Sequence, residues 1–259
     1  MLLVVDIGNT NIVLGVFEAD DLVHSWRIAT RRDRTPDEYA VLCEDLFRLK
    51  AVDPSKVEAI VISSVVPPLD DCFKVLAARH FGLRPVFVQP QLQKFLPISY
   101  ESPADVGADR VVNALAALRL VGTPAIVVDL GTATTFDAIS AQGQYLGGII
   151  APGVSTSAEA LFLRAAKLPR VEITRPAQVI GNSPTTSIQS GLFFGYVGLV
   201  EGILRRMKEE LPNAPVIATG GFADLIGSQS EGIDRIEEDL TLYGLKIFWD
   251  LSYGEKPGS

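Results

Sequence analysis

The sequence predicts an α/β protein made of two similar units, and three observations support this fold class. Two apolar strands run into the same acidic turn, "VVDIGNTN" at residues 4–11 and "VVDLGTATTFDA" at residues 127–138. Strand-like and helix-like segments follow both turns. The order of these segments is nearly the same in the two halves of the chain. We therefore predict two layered domains, residues 1–115 and 116–259, that face each other across a cleft.

The first half is predicted to have the order βββαβαβ. Strands are expected at 2–6, 12–18 and 22–29, and the third of them alternates apolar and polar residues in "LVHSWRIA". A helix then begins after Thr35, because proline and two acidic residues fill its first turn and apolar residues follow at helical spacing. The remaining elements are a buried strand in "VEAIVISSV", a helix from Pro68 to His80 and a short strand in "PVFVQ", which ends at Gln89.

The second half is predicted to be close to βββαβα. It starts after Pro103 with an amphipathic helix at 109–121, and the pattern of three strands then repeats. The later elements are strands at 125–130, 134–140 and 144–149, helices at 154–166 and 185–210, a strand in "PVIAT", and helices near 222–227 and 240–250.

The long helix at 185–210 carries a narrow stripe of glycine. Gly191, Gly195, Gly198 and Gly202 recur at helical spacing. Each glycine costs about 1 kcal/mol relative to alanine inside a helix, so the stripe is tolerable if another backbone packs closely against it. That backbone could belong to the same chain or to a second copy, and we favour the second copy.

Charge and hydropathy oppose binding to nucleic acid or to a membrane. The 259 residues carry a formal net charge of −8 with a pI near 4.9, which repels phosphate backbones outside any local basic groove. The N-terminus has no basic region and reaches Asp6 before a signal-peptide core could form. No apolar run approaches the roughly 18 residues of a membrane span. We expect a cytoplasmic protein with no nucleic-acid or membrane partner.

Thiol and imidazole chemistry are not predicted. Cys43 and Cys72 lie in helical, half-apolar stretches, where we expect packed thiols, and His24 and His80 lie far from any motif. The remaining candidates for chemistry are carboxylates, hydroxyls, backbone amides and a bound cation.

The two acidic turns are suited to binding phosphate. Glycine after the aspartate permits a tight turn and leaves backbone amides accessible, while hydroxyl and amide side chains at the tip add donors. The preceding aspartate can hold a cation that bridges phosphates, and Mg²⁺ suits Asp6 because it needs few protein carboxylates. One such turn alone is typical of an ordinary β-hairpin. Its repetition in the second unit favours a phosphate site.

A third loop completes a candidate nucleotide site. "VIATGGFADLI" ends a strand in Gly220 and Gly221 and then opens a helix, so that a base or ribose could approach the backbone. Alone, this glycine pair is a weak signal. Beside two phosphate turns, it indicates one loop for each end of a triphosphate and a third loop for adenosine.

These motifs resemble the superfamily of acetate and sugar kinases, heat-shock chaperones and actin, and within it the type III pantothenate kinases. The resemblance extends from Leu3 to about Gly244. It implies duplicated ribonuclease H-like (actin-like ATPase) domains, each βββαβα, with a nucleotide cleft between them. It also implies ATP-dependent phosphorylation of pantothenate to 4′-phosphopantothenate, the first step of coenzyme A synthesis, with K⁺ or NH₄⁺ and a homodimer. The motifs are "DIGNTN", "ISSVVPP", "YESPADVGADRVVNALAA", "DLGTATTFDA", "GGIIAPG" and "SIQSGLFFGY".

The resemblance assigns roles to individual positions. Asp129 matches the monovalent-cation ligand, and Asp109 matches the proton acceptor. The predicted ATP-binding residues, including the glycine pair, are Asp6, Ile7, Gly8, Asn9, Thr10, Asn11, Ile12, Val13, Thr132, Gly220 and Gly221. The predicted substrate-binding residues are Tyr100, Gly107, Ala108, Asp109, Arg110 and Pro184.

Pro184 departs from the family pattern. The family usually has threonine three residues after the glycine of "IGNSPTTSIQSG", where the side chain touches pantothenate from the partner subunit. Proline has neither a hydroxyl nor an amide hydrogen to donate. Thr185 and Thr186 are the candidates to replace that contact.

Asp109 is a candidate base on chemical grounds as well. It stands at the start of an amphipathic helix, where an acid stabilises the helix dipole by about 0.3–1 kcal/mol even without a catalytic role. The dipole is expected to keep it ionised and weakly basic, which suffices because phosphoryl transfer needs orientation more than a strong base. Arg110 suits a substrate carboxylate, or otherwise a surface ion pair.

Two other functions stay open at this point. One is a different kinase or phosphatase of the same superfamily that acts on a sugar, acetate or polyphosphate. The other is a nonenzymatic nucleotide-binding regulator that has lost the chemistry. Asp6, Asp109, Asp129 and the hydroxyl-rich turns argue against such a loss.

Overall fold

The computed structural model describes residues 1–88 and 94–254, which divide into two compact units. The first unit consists of residues up to 97, residues 101–116 and the described residues from 240 onwards. The second unit consists of residues 98–100 and 117–239.

The first unit is built on a five-stranded mixed sheet. Its strands are β1 (Leu2–Ile7), β2 (Asn11–Glu18), β3 (Asp21–Ala29), β4 (Ala59–Ser64) and β5 (Val86–Phe87). They lie in the order β3-β2-β1-β4-β5, with antiparallel pairing from β3 to β1 and parallel pairing from β1 to β5. Gln89, the predicted end of the fifth strand, lies outside the described residues.

Two helices cover one face of this sheet. α1 (Pro36–Leu49) begins at a capping box, in which the Thr35 side chain accepts from the backbone of Glu38 and the Glu38 carboxylate accepts from the backbone of Thr35. α2 (Pro67–Leu76) begins at two prolines and continues into a π-helical turn at Ala77–Phe81. Both helices pack on alternate apolar residues of the central strands to form one core.

The second unit repeats the sheet of the first. Its strands are β6 (Ala125–Leu130), β7 (Ala133–Ile139), β8 (Tyr145–Pro152), β9 (Val216–Thr219) and β10 (Arg235–Ile236). From β8 the order is β8-β7-β6-β9-β10, antiparallel as far as β6 and parallel beyond it. The strand order and the pairing directions are the same as in β3-β2-β1-β4-β5 of the first unit. This confirms the predicted duplication. β10 was not predicted, because two residues carry no readable alternation.

The second unit is covered mainly by α5 (Pro184–Glu210), which packs beside α4 (Val154–Arg164).

α5 meets the length and composition of a membrane span, with a mean hydropathy of 1.3 over an 18-residue window, contrary to the expectation above. Only 39% of that window is buried. Leu192 and Val200, however, lie in the core of the second unit, as expected of a helix that covers a sheet. A short helix, α6 (Ala223–Ile226), follows β9.

The C-terminal helix α7 (Leu240–Tyr253) packs with the first unit, although the sequence placed it in the second. It contacts β1, β2 and β4 and covers the face that α1 and α2 leave open. The Thr241 hydroxyl donates to Asn113 Oδ1 of α3 (Ala108–Val121) at 2.8 Å. Gly244 lies so close to the carbonyl group of Val112 that a side chain would not fit. Long-range packing therefore decides the position of this helix.

Candidate active site

The first acidic turn joins β1 to β2 and is closed by its own backbone. The Gly8 amide donates to the carbonyl oxygen of Asn11 at 3.0 Å, which leaves Asn9 and Thr10 exposed at the tip. Asp6 is partly buried at the end of β1, opposite Val13 of β2. The tip is therefore accessible to a ligand, and the carboxylate lies just behind it.

Two of the predicted ATP-binding residues are limited to backbone contacts. The side chains of Ile7 and Ile12 are fully buried in the core of the first unit. Their role in the turn is to anchor it to the sheet, since both hydrophobic side chains are removed from water.

A residue that the sequence did not indicate holds the first turn from the side. The Thr30 hydroxyl donates to the carbonyl oxygen of Gly8 at 2.6 Å, and the Thr30 amide donates to the carbonyl oxygen of Thr10 at 3.0 Å. The only available signal was its position at the end of the third strand, which neighbours β2 in the sheet.

The second acidic turn joins β6 to β7 and has the same construction. The Gly131 amide donates to the carbonyl oxygen of Ala133 at 3.1 Å, and Thr132 is exposed at the tip. The carbonyl oxygen of Thr132 accepts from the Gly153 amide at 3.1 Å and from the Thr156 hydroxyl at 2.7 Å. The start of α4 thus supports this turn.

Gly153 is a second position that the sequence did not single out. A Cβ at this position would overlap the backbone of Gly131 and Thr132. The Tyr196 hydroxyl of α5 lies 2.9 Å from the carbonyl oxygen of Gly153 and 2.8 Å from that of Pro152. The available signal was the Pro-Gly pair of "GGIIAPG", which ends a strand as the Gly220 pair does.

The glycine pair after β9 lies against the second turn. Gly220 has a φ of +96°, and a Cβ there would overlap Asp129 Oδ1 and the backbone of Leu130. The Phe222 amide donates to the carbonyl oxygen of Leu130 at 3.2 Å. Only glycine satisfies both the backbone angle and the close approach, while Gly221 next to it is exposed.

The Asp129 carboxylate lies between the glycines of two loops. Its Oδ1 occupies the space left by the missing side chains of Gly131 and Gly220. No group of three or more His, Cys, Asp or Glu that could hold a metal occurs in residues 1–88 and 94–254. A cation here would be bound by one carboxylate together with carbonyl, water or phosphate oxygens. This donor set fits a cation that accompanies a nucleotide.

Asp109 is the second residue of α3 and lies two residues after Gly107. Asp109 Oδ1 accepts from the Arg110 amide at 2.8 Å, and a Cβ on Gly107 would overlap that oxygen. Burial raises the pKa of Asp109 above its ordinary value, and the amide and charge of Arg110 only partly oppose this. The expectation of a weakly basic carboxylate is therefore wrong in direction, because desolvation outweighs the helix terminus.

The other predicted pantothenate contacts are divided between the two units. Arg110 is 9% exposed in the first unit, which excludes a simple surface ion pair. Tyr100 belongs to the second unit, is 41% exposed, and its ring lies against Gly147. The Tyr100 side chain is therefore partly accessible, with its ring packed against Gly147.

Pro184 occupies the first turn of α5, where its fixed φ suits a helix start. Ser183 caps the helix, and the Thr186 hydroxyl accepts from the amides of Asn182 and Ser183, each at 3.1 Å. The Thr186 hydroxyl is thus already engaged in hydrogen bonds of the helix cap. Thr185, the other candidate, is exposed.

A protein-family model matches most of this chain. The model of the type III pantothenate kinase family matches residues 2–206. The chain belongs to the type III pantothenate kinase family. The type III pantothenate kinase of Koribacter versatilis is 50% identical to it over 261 residues, covering 96% of this chain and 95% of that protein. That of Geobacter sulfurreducens is 51% identical over 251 residues, covering 96% and 98%.

Solved structures agree with the fold of a type III pantothenate kinase. The activator of the 2-hydroxyisocaproyl-CoA dehydratase from Clostridium difficile, determined with bound ADPNP, superposes with a TM-score of 0.55. The superposition covers 100% of this chain and 99% of the activator chain at 10% sequence identity, so the similarity is one of fold alone. Together with the repeated strand order, it confirms the duplicated ribonuclease H-like fold.

Proposed function

We infer that the protein transfers the γ-phosphate of ATP to the primary hydroxyl of pantothenate. The products are 4′-phosphopantothenate and ADP, and the reaction is the first step of coenzyme A synthesis. The observation that carries this inference is the identity of about 50% to type III pantothenate kinases over nearly the whole of each chain. The two acidic turns and Asp109 would provide the phosphate contacts and the base that such a reaction requires.

We assign ATP to the two acidic turns. The segment from Asp6 to Val13 offers backbone amides and the exposed tip of Asn9 and Thr10 to phosphate oxygens, and Thr132 does the same in the second turn. Gly220 and Gly221 leave room for ribose or base. In this assignment the boundary between the two domains lies near residue 115 of the sequence, which the change of compact unit between Ala116 and Ala117 supports.

Pantothenate is assigned to the start of α3 and to Tyr100. Asp109 accepts the proton of the attacking hydroxyl and orients it, and its raised pKa makes it a stronger base than an ordinary aspartate. Arg110 provides the positive charge for the pantothenate carboxylate. Gly107 and Ala108 bring the backbone close to the substrate.

Two cation roles belong to this assignment. Asp6 would hold the Mg²⁺ that accompanies ATP, and Asp129 would hold K⁺ or NH₄⁺. When bound, these cations neutralise phosphate charge that develops during transfer. The steric fit of Asp129 between Gly131 and Gly220 supports the second role.

A homodimer through α5 is part of the proposal. Apart from the adjacent residues and the backbone of α5 itself, no atom of the described chain lies within 4 Å of a Cβ placed on Gly191, Gly195 or Gly198, so these three positions of the stripe are open. α4 beside it exposes Leu161 and Leu163. An open stripe of small residues next to exposed leucines supports contact with a second copy rather than packing within the chain. The cytoplasm is the compartment that suits these substrates.

A panel of acceptors tests the function. Purified protein with ATP, Mg²⁺ and K⁺ should convert pantothenate to 4′-phosphopantothenate, detected by mass spectrometry, and leave acetate and hexoses unchanged. Preferred phosphorylation of a sugar or acetate would indicate another kinase of the superfamily. Nucleotide binding without turnover of any acceptor would indicate a regulator.

A further inference from the structure

A basic segment lies directly beside the first turn. Thr30, whose hydroxyl and amide donate to the turn, is followed at once by Arg31, Arg32, Asp33 and Arg34. The chain as a whole carries a net charge of −8, so this local excess of arginine is the reverse of its general character. A positive surface next to a phosphate turn would attract an anion.

The backbone of this segment is held in place by a buried residue. The Arg31 amide donates to the Tyr39 hydroxyl at 2.9 Å, and the Tyr39 hydroxyl donates to the carbonyl oxygen of Arg31 at 2.8 Å. The Tyr39 side chain is fully buried in the core of the first unit, and the Arg34 guanidinium lies 5.7 Å from its ring centre. The buried Tyr39 thus fixes the backbone of this segment, while the side chains of Arg31 and Arg32 remain exposed.

Arg32 points to the tip of the turn. Its guanidinium donates to Asn9 Oδ1 at 3.0 Å, and both residues are exposed. Within residues 1–88 and 94–254, Arg32 forms no ion pair with a carboxylate, whereas Arg48, Arg79 and Arg235 do. A guanidinium has five N–H donors, so the contact with Asn9 leaves others available.

We propose that Arg32 is a further phosphate ligand for the nucleotide, oriented by Asn9 at the tip of the first turn. The proposal rests on the proposed function in one respect, namely that this turn binds the phosphates of ATP. The planar guanidinium can donate two parallel hydrogen bonds to phosphate oxygens, which the neutral donors of the turn cannot match. Asn9 then has two roles, as a tip donor and as the group that fixes the arginine.

Arg32→Gln removes the charge and tests the proposal directly. A charged hydrogen bond lost from a bound phosphate should raise the KM for ATP by about ten- to a hundredfold. The KM for pantothenate and the inhibition constant of adenosine should change less than twofold, because neither ligand carries a phosphate. Arg32→Lys, which keeps the charge but not the planar fork, should recover part of the affinity. A melting curve establishes that each variant is folded.

Arg27→Gln is the matched control. It removes an exposed arginine from β3 of the same unit and should leave all constants within twofold of wild type. The proposal is overturned if Arg32→Gln binds ATP as tightly as wild type, or if ATP and adenosine lose affinity equally. Calorimetric titration with ATP gives the same readout without turnover. A wild-type protein that binds ATP but does not phosphorylate pantothenate would contradict the proposed function and still test Arg32.

Discussion

At the scale of single residues, two carboxylates carry most of the proposed chemistry, and their surroundings differ. Asp109 is crowded at a helix start, where loss of solvent raises its pKa. Asp129 Oδ1 occupies space that side chains at Gly131 and Gly220 would otherwise fill. Asp109 is therefore suited to take a proton, and Asp129 to bind a cation.

The pH dependence of turnover should reflect the raised pKa of Asp109. A base must be ionised to act, so kcat/KM should fall on the acidic side with an apparent pKa above 3.8, the ordinary value of aspartate. We expect this acidic limb in the wild type and its absence from the residual activity of Asp109→Asn. Steady-state rates across the acidic range, at saturating Mg²⁺, provide the measurement. An identical limb in both proteins would assign it to another group.

The same shift has a consequence for stability. Because the folded pKa exceeds the unfolded one, the folded state binds the proton more tightly, and stability falls as pH rises from the unfolded pKa through the folded pKa. Above that window the ionised carboxylate of Asp109 opposes folding. Its replacement by asparagine should therefore leave the Tm at neutral pH unchanged or higher.

Asp129→Ala should remove the response to potassium. The substitution deletes the carboxylate but leaves the amides of the second turn in place. We expect lower activity that no longer rises when K⁺ replaces Na⁺ at constant ionic strength. An unchanged rate together with an unchanged potassium response would contradict the cation assignment.

At the scale of elements, three separate segments support the second turn. Gly220, directly after β9, lies against Asp129. Gly153, the N-cap residue of α4, lies against Thr132, and the Tyr196 hydroxyl of α5 donates to the carbonyl oxygen of Gly153. The turn itself was predictable, since aspartate and glycine follow a strand within a few residues. Its supports were not, because Gly153 and Tyr196 are distant in sequence and meet the turn only through tertiary packing.

Gly220→Ala should disturb the proposed cation site in addition to straining the backbone at residue 220. Alanine at positive φ costs about 1–2 kcal/mol wherever it occurs. At Gly220 the added Cβ also overlaps Asp129 Oδ1, so potassium activation should be lost as well.

Gly122→Ala is the control for this variant. Gly122 has a φ of +80°, but no atom lies within 4 Å of the position of a Cβ. It should therefore lose a similar amount of stability in a denaturant titration while keeping its potassium response. Equal kinetic behaviour of the two variants would mean that the contact of Gly220 with Asp129 has no functional effect.

The limits of prediction at this scale have physical causes. Alternation and apolar runs located nine of the ten strands, and capping residues located the start of α1 at Thr35. The tenth, Arg235–Ile236, is too short to have a period. Local sequence pattern also could not identify the sheet on which α7 packs, because an apolar helix face does not specify which of two similar sheets it covers.

At the scale of the whole molecule, duplication gives each unit a sheet of the same order with an acidic turn at the same strand junction. The sequence predicted this because the turn motif and the order of elements both repeat. It could not predict which surface remains open. Three glycines of the stripe on α5, Gly191, Gly195 and Gly198, have open space at their Cβ positions within the described chain, and the proposed dimer would fill it.

Gly195→Leu should convert the proposed dimer to monomer. Leucine at an open position does not strain the monomer, and it should even favour the helix by up to about 1 kcal/mol relative to glycine. In a close helix contact, however, the added side chain should cost about 1–3 kcal/mol through overpacking. Sedimentation velocity should show a folded monomer where the wild type is a dimer. A variant that remains fully dimeric would remove the stripe from the interface.

The kinetics of Asp109→Asn test whether Asp109 acts as the base of a pantothenate kinase. Asparagine keeps the size of the side chain and an oxygen that can accept from the Arg110 amide, so folding and ATP binding should survive. Removal of the proton acceptor should lower kcat by about 10²–10⁴, with a much smaller change in the KM for pantothenate. We expect this loss of kcat together with a Tm that is no lower than that of wild type. Turnover within a few-fold of wild type would contradict it.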